Sequence, residues 1–206
     1  MPKSSIAIVN AGGSNISSLT FALDRIKASY ITTNQIAQIE DSSHVILPGV
    51  GAAYDAMDKL KRSDLIEVVK NLKQPTLGIC LGMQLLGNSS LEGGFSKGLS
   101  FVEGEVEKMS NSTFKVPHIG FNQVNSYGES TLYKGLNNLS DFYFVHSYIC
   151  NPKDPGVILS KTHYGGIDFC SSIQQGSIYA CQFHPEKSAN SGLNVMKNFL
   201  NIVKNN

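Results

Sequence analysis

Cys80 stands in Leu77-Gly78-Ile79-Cys80-Leu81-Gly82-Met83-Gln84-Leu85-Leu86, with a glycine two residues before it and another two residues after. A β-rich stretch runs into the cysteine and helical spacing leaves it. That is the G-x-nucleophile-x-G elbow, with a thiol where related hydrolases carry a hydroxyl. A sharp strand-to-helix turn strains the nucleophile's backbone, and side chains at ±2 would crowd it. The turn aims the sulfur out of the carboxyl edge of a sheet, where open α/β sheets bind ligands. It also brings backbone N–H donors within reach of an oxyanion.

A thiol nucleophile needs a base. Gln182-Phe183-His184-Pro185-Glu186 supplies His184, the side chain that titrates near neutrality, and Glu186, an acceptor able to fix its tautomer. A third segment, Leu47-Pro48-Gly49-Val50-Gly51, ends an apolar run on two glycines. Such a loop can approach a ligand closely and offer an N–H to a tetrahedral intermediate. Cys150, Cys170 and Cys181 have no C-x-x-C partner, so they read as small buried hydrophobes rather than as a metal site or a disulfide framework. Neither a metal nor a cofactor is expected.

These residues need a scaffold. Ser5 to Val9 reads as a buried strand, followed by the turn Asn10-Ala11-Gly12-Gly13-Ser14-Asn15 and a helix carrying Ile16, Leu19, Leu23 and Ile26 on one face. His44 to Leu47 is a second strand and Thr76 to Ile79 a third, with helical spacing in Leu65, Val69 and Leu72 between them. Strands separated by helices build βαβ units and parallel pairing. Later runs are short and rich in aromatic or β-branched residues: Phe101 to Met109, Phe142 to Tyr148, Val157 to Thr162, Ile167 to Ile173 and Ile178 to Phe183. Turns such as Asp154-Pro155-Gly156 and Gly165-Gly166 suit antiparallel pairing. A last helix is expected from Leu193, Met196, Leu200 and Val203. The expected fold class is α/β: one domain over residues 1–206, three-layer α/β/α, with a mostly parallel central sheet and an added antiparallel region.

Composition sets limits. The 206 residues are 41% hydrophobic and 16% charged, which suits a packed core and excludes a disordered chain. A formal net charge of +1 leaves no basic excess to neutralise phosphates, so no nucleic-acid partner is expected. No apolar run approaches the ~18 residues a membrane span needs, and Ile6 to Val9 is too short for a signal-peptide core. A cytoplasmic location is the expectation.

Taken together, the elbow, the Pro-Gly-Val-Gly loop, Lys115-Val116-Pro117-His118-Ile119-Gly120, Phe142-Tyr143-Phe144-Val145-His146-Ser147-Tyr148 and Gln182-Phe183-His184-Pro185-Glu186-Lys187-Ser188 resemble the class I (triad) glutamine amidotransferases. The resemblance covers nearly the whole chain. It is narrowest to the glutaminase subunits that serve imidazole glycerol phosphate synthase in histidine biosynthesis. It implies that Cys80 attacks the amide of L-glutamine, that His184 is base and then acid, and that Glu186 orients it. It further implies an oxyanion hole from Leu81 and the Gly49-Val50-Gly51 loop, with Gln84, Ser147 and Tyr148 holding glutamine. The implied partner is a cyclase subunit in a heterodimer, receiving ammonia through its (β/α)8 barrel, with Asn15, His118, Phe121, Asn122, Tyr143 and Lys187 at the interface. Two places depart from the family pattern: the turn at Asn10 to Asn15, and Phe121 where the family usually has tryptophan. Both face the expected partner. They leave room for a paralogous glutaminase feeding another synthase, such as one that aminates surface sugars. An idle binding module on the same fold and a cysteine peptidase are the remaining alternatives. The intact Cys80, His184 and Glu186 argue against the first, and Gln84 with Ser147-Tyr148 against the second.

Overall fold

A computed structural model describes residues 5–10, 16–49, 51–109, 114–127 and 130–203. The expected turn at residues 11–15, with Asn15, lies outside the described residues, as does Val50. In chain order the strands are β1 (Ile6–Val9), β2 (Tyr30–Thr33), β3 (His44–Gly49), β4 (Thr76–Cys80), β5 (Ser89–Ser90), β6 (Ser96–Lys97), β7 (Gly104–Lys108), β8 (His118–Ser126), β9 (Leu139–His146), β10 (Tyr148–Pro152), β11 (Ile158–Tyr164), β12 (Ile167–Gln175) and β13 (Ile178–Cys181). The helices are α1 (Ser17–Arg25), α2 (Ile36–Glu40), α3 (Ala53–Arg62), α4 (Leu65–Lys70), α5 (Leu81–Gln84) and α6 (Ala189–Leu200).

All four residues of β1 are buried, which requires cover on both faces of its sheet. Successive side chains of a strand point to opposite faces. Accordingly Ala7 and Val9 pack into one core with Met57 and Leu60 of α3 and Leu65 and Val69 of α4. Ile6 and Ile8 pack into another with Leu19 and Leu23 of α1 and Val195, Met196 and Phe199 of α6. The two cores sandwich one nine-stranded sheet in the order β2-β1-β3-β4-β13-β12-β11-β8-β9. From β2 to β13 all pairing is parallel, and from β13 to β9 all of it is antiparallel. The antiparallel extension is therefore as wide as the parallel half. A four-stranded sheet, β10-β7-β5-β6, adds Val106 and Cys150 to the core on the α3 and α4 side.

Several sequence expectations change here. The apolar run Phe142 to Tyr148 reads as one strand but is two: β9 ends at His146 in the large sheet, and β10 starts at Tyr148 in the small one. Ser147 is the crossover. β3 continues through Pro48 and Gly49, and β4 through Cys80. β2, α2, α3 and β8 were not visible as elements, because their apolar residues are sparse or interrupted by polar ones. Val203 lies past the end of α6 and is 78% exposed, so it is not part of that helix's buried face. No described helix is long and apolar enough to cross a membrane.

Candidate active site

The geometry of the elbow begins with close approach between β3, β4 and α5. A Cβ on Gly82 would stand 1.9 Å from the Leu47 carbonyl oxygen, and one on Gly78 would stand 2.9 Å from the backbone of Gly82. The glycines thus let the first turn of α5 lie directly on the ends of two strands. Crowding of the thiol itself, the reason read from the sequence, is the lesser constraint. Cys80 sits at φ 54°, ψ −108°. For a residue with a side chain that conformation costs on the order of 1–3 kcal/mol, and it persists only where packing over-determines it.

Strand pairing sets what stands beside the thiol. Gly49 pairs with Cys80 across β3 and β4, so the glycine loop begins next to the nucleophile. A Cβ on Gly49 would meet Leu81 Cβ at 2.6 Å. Gly51 has φ +98° and open space around it. On the other side β13 pairs with β4, Cys181 opposite Ile79, and delivers His184 three residues later. The antiparallel half then clamps the backbone of His184. Its N–H donates to the Tyr143 carbonyl at 2.8 Å, and its carbonyl accepts from Ser188 Oγ at 2.6 Å.

His184 and Glu186 side chains are 3% and 9% exposed, with Nδ1 and Oε1 2.7 Å apart. A carboxylate only accepts, so Nδ1 carries the hydrogen and Nε2 is left facing the cleft. Nε2 is buried without a hydrogen-bond partner among the described residues, as is Glu186 Oε2. Burial alone would lower the imidazole pKa. The nearby Cys80 thiol and the Glu186 carboxylate outweigh it and raise the value to about 10. Cys80 Sγ accepts from Gln182 Nε2 at 3.6 Å and lies 3.9 Å from the Val145 carbonyl.

Cys80 and His184 open on one cavity of about 200 Å³. Gly51 and Leu81 line one side, Gln84 and Glu92 another, and Val145, His146 and Ser147 the rest. That volume suits one small amino acid. A larger cavity, about 630 Å³, opens at the other end of the sheet near Lys73 and Gln174 and contains neither nucleophile nor base. Size therefore does not identify the site; the thiol and imidazole do.

The other expected residues divide. Gln84 is buried and its amide Nε2 donates to the Tyr148 carbonyl at 3.0 Å and to Gln182 Oε1 at 3.1 Å. Ser147 lines the cavity, whereas Tyr148 reaches this region through its carbonyl. Phe121 is 60% exposed, with Tyr143 edge-on at 5.7 Å and Lys187 Nζ 5.9 Å from the Tyr143 ring centre. Asn122 is half-buried. His118, expected on the outer face, is instead 2% exposed and stacked on Tyr164 at 3.9 Å, because it sits on the inward side of β8. Sequence reasoning missed Glu92, Gln182 and His146. Glu92 is half-buried, with Oε2 unpartnered and the carboxyl pKa raised by desolvation. Its only sequence signal is an acid beside Gly93-Gly94 in a short hairpin. No described group of three His, Cys, Asp or Glu residues is arranged to hold a metal.

Comparison with known proteins adds to this geometry. Residues 7–203 match the family Glutamine amidotransferase class-I. The chain is 43% identical over 202 residues to the imidazole glycerol phosphate synthase subunit HisH of Moorella thermoacetica, covering 97% of this chain and 95% of that one. It is 43% identical over 199 residues to the subunit of the same name from Archaeoglobus fulgidus, covering 97% and 99%. Among solved structures, PurLQS from Thermotoga maritima superposes with a TM-score of 0.69 at 17% identity, covering 97% of this chain and 99% of that one, a likeness of fold.

Proposed function

This chain belongs to the class-I glutamine amidotransferase family, among the glutaminase subunits of imidazole glycerol phosphate synthase, and from that premise we propose how its cleft works. The observation that carries the reading is a cysteine held at φ 54° beside a buried histidine whose far nitrogen is fixed by a carboxylate 2.7 Å away. Cys80 is the nucleophile, His184 the proton carrier and Glu186 its orienting acceptor. His184, its pKa raised, takes the thiol proton of Cys80 as general base. The thiolate attacks the side-chain carbonyl carbon of glutamine, and the carbonyl electrons move to oxygen. N–H groups of Leu81 and the Gly49 to Gly51 loop, with Val50 included by family resemblance, receive that oxyanion. His184 then gives its proton to the amide nitrogen as the C–N bond breaks and ammonia leaves. A water, deprotonated by His184, attacks the thioester; glutamate departs and the thiol is restored.

Recognition falls to the remaining wall. The unpartnered Oε2 of Glu92 suits the α-ammonium of glutamine, and Gln84, Ser147 and the Tyr148 backbone frame the rest. The partner is a cyclase subunit joined as a heterodimer and supplied with ammonia before water can protonate it. Phe121, Tyr143 and Lys187 face it at the β8–β9 surface, where Ile119 and Phe121 are each 60% exposed, whereas Asn122 lies on the face of β8 that carries the inward His118. We place the chain in the cytoplasm as one domain that works with this separate synthase subunit. Changing Cys80 to Ala should abolish glutamine-dependent synthesis by the complex while leaving synthesis from ammonium salts within about twofold of wild type. Parallel loss of both activities would make Cys80 structural and overturn the reading.

A further inference from the structure

We propose that His118 and His146 are positioning residues for the substrate: as a neutral pair they hold the Ser147–Tyr148 backbone, one wall of the cleft, in place beside Cys80. His118 and His146 are direct partners across β8 and β9. Their Nδ1 and Nε2 atoms respectively are 3.0 Å apart. The hydrogens can be assigned from one end. His146 Nδ1 is 2.9 Å from the Tyr148 carbonyl, which only accepts, so Nδ1 donates. His146 Nε2 then has no hydrogen and accepts from His118 Nδ1. His118 Nε2 in turn accepts from Asn122 Nδ2 at 3.3 Å. The same Asn122 nitrogen also donates to the His163 carbonyl at 3.0 Å. Every ring nitrogen has one role, and protonating either ring sets two donors face to face.

The surroundings enforce the neutral state. The His118 ring lies against Tyr164 at 3.9 Å and Phe144 at 4.8 Å. Burial pushes His118 down to about 4, and burial, with His118 and His184 nearby, does the same to His146.

This run of hydrogen bonds ends where the polypeptide passes from one sheet to the other. β9 stops at His146 and β10 begins at Tyr148, in different sheets, with Ser147 between them lining the cavity. The Tyr148 carbonyl accepts from His146 on one side and from Gln84 on the other. Two side chains thus add to the backbone hydrogen bond that the Ser147 carbonyl accepts from Met109 N–H at 2.8 Å. An apolar pair at these positions would fill the space but leave that carbonyl with Gln84 alone.

This inference rests on the glutaminase reading, and its test separates the two. The full-length chain is treated with an electrophilic glutamine analogue, 6-diazo-5-oxonorleucine, and in parallel with iodoacetamide, which reports on the thiol without using the cleft. His118→Phe keeps the ring stack and removes both nitrogens. It should raise the half-saturating concentration of the analogue about tenfold, the loss of one net hydrogen bond, while the iodoacetamide rate changes less than about twofold. His118→Asn restores a donor at the Nδ1 position and should recover most of the shift. Asn122→Leu, at the half-buried outer end, gives a folded alternative and a smaller shift of about threefold in the same sense. An unchanged half-saturation in His118→Phe and Asn122→Leu, or equal damage in the Phe and Asn variants, overturns the positioning role. A wild-type chain that reacts with iodoacetamide but ignores the analogue overturns the glutaminase reading and this inference with it.

Discussion

The parallel and antiparallel halves of the molecule build the same cleft by different means. β3, β4 and β13 hold the reacting groups through the backbone: Cys80 and the start of the glycine loop are ladder partners, and His184 follows the neighbouring strand. The antiparallel side and the small sheet supply the wall that faces the substrate, through side chains and through a crossover at Ser147 from one sheet to the other. Reacting atoms tolerate little displacement, so rigid strand ends suit them. A recognition wall is held more softly, by polar contacts such as those at the Tyr148 carbonyl.

The contrast breaks most sharply at Gly82. Its Cβ would collide with the Leu47 carbonyl at 1.9 Å, an atom of the β3 backbone that cannot step aside. Gly82→Ala should therefore unfold the elbow, lowering stability by about 3 kcal/mol or more and removing glutaminase activity. Thermal melting together with activity checks this; a stable, active variant would show that the ladder does not set the thiol's position. Next comes Glu92→Gln, which touches only the recognition wall. It should raise KM for glutamine about thirtyfold, the lower end for losing one partner of a desolvated charge pair, with kcat nearly unchanged. A fall in kcat alone would erase the distinction between the two sides. The smallest effect is the pH dependence of the buried pair. His184 is raised to about 10 from 6.5, so its contribution to stability is complete below pH 6.5 and fades as pH rises through about 10. Urea unfolding of wild type against Glu186→Gln should give a difference that is largest near pH 6 and shrinks toward pH 10.

The legibility of the sequence follows the same division. Gly78-x-Cys80-x-Gly82 and His184-Pro185-Glu186 are local patterns, so their chemistry could be read from types and spacing, and the parallel strands came with them. The Phe142 to Tyr148 run could not be divided by inspection, since nothing in its apolar pattern marks Ser147 as a change of sheet. His118 and His146 are separated by 28 residues and meet only through strand register. Glu92 is one acid in a glycine-rich hairpin, and its importance comes from an unpartnered oxygen that only tertiary structure exposes.

The placement of β4 beside β13 has a consequence for how the chain can change. Ile79 and Cys181 are far apart in sequence yet share one rung, and neighbouring strands stand about 4.8 Å apart. The spacing of thiol and imidazole is therefore inherited from a backbone repeat. Loops and helices inserted or reshaped between those strands can vary in length and composition without retuning the reactive pair, so long as that single rung is kept.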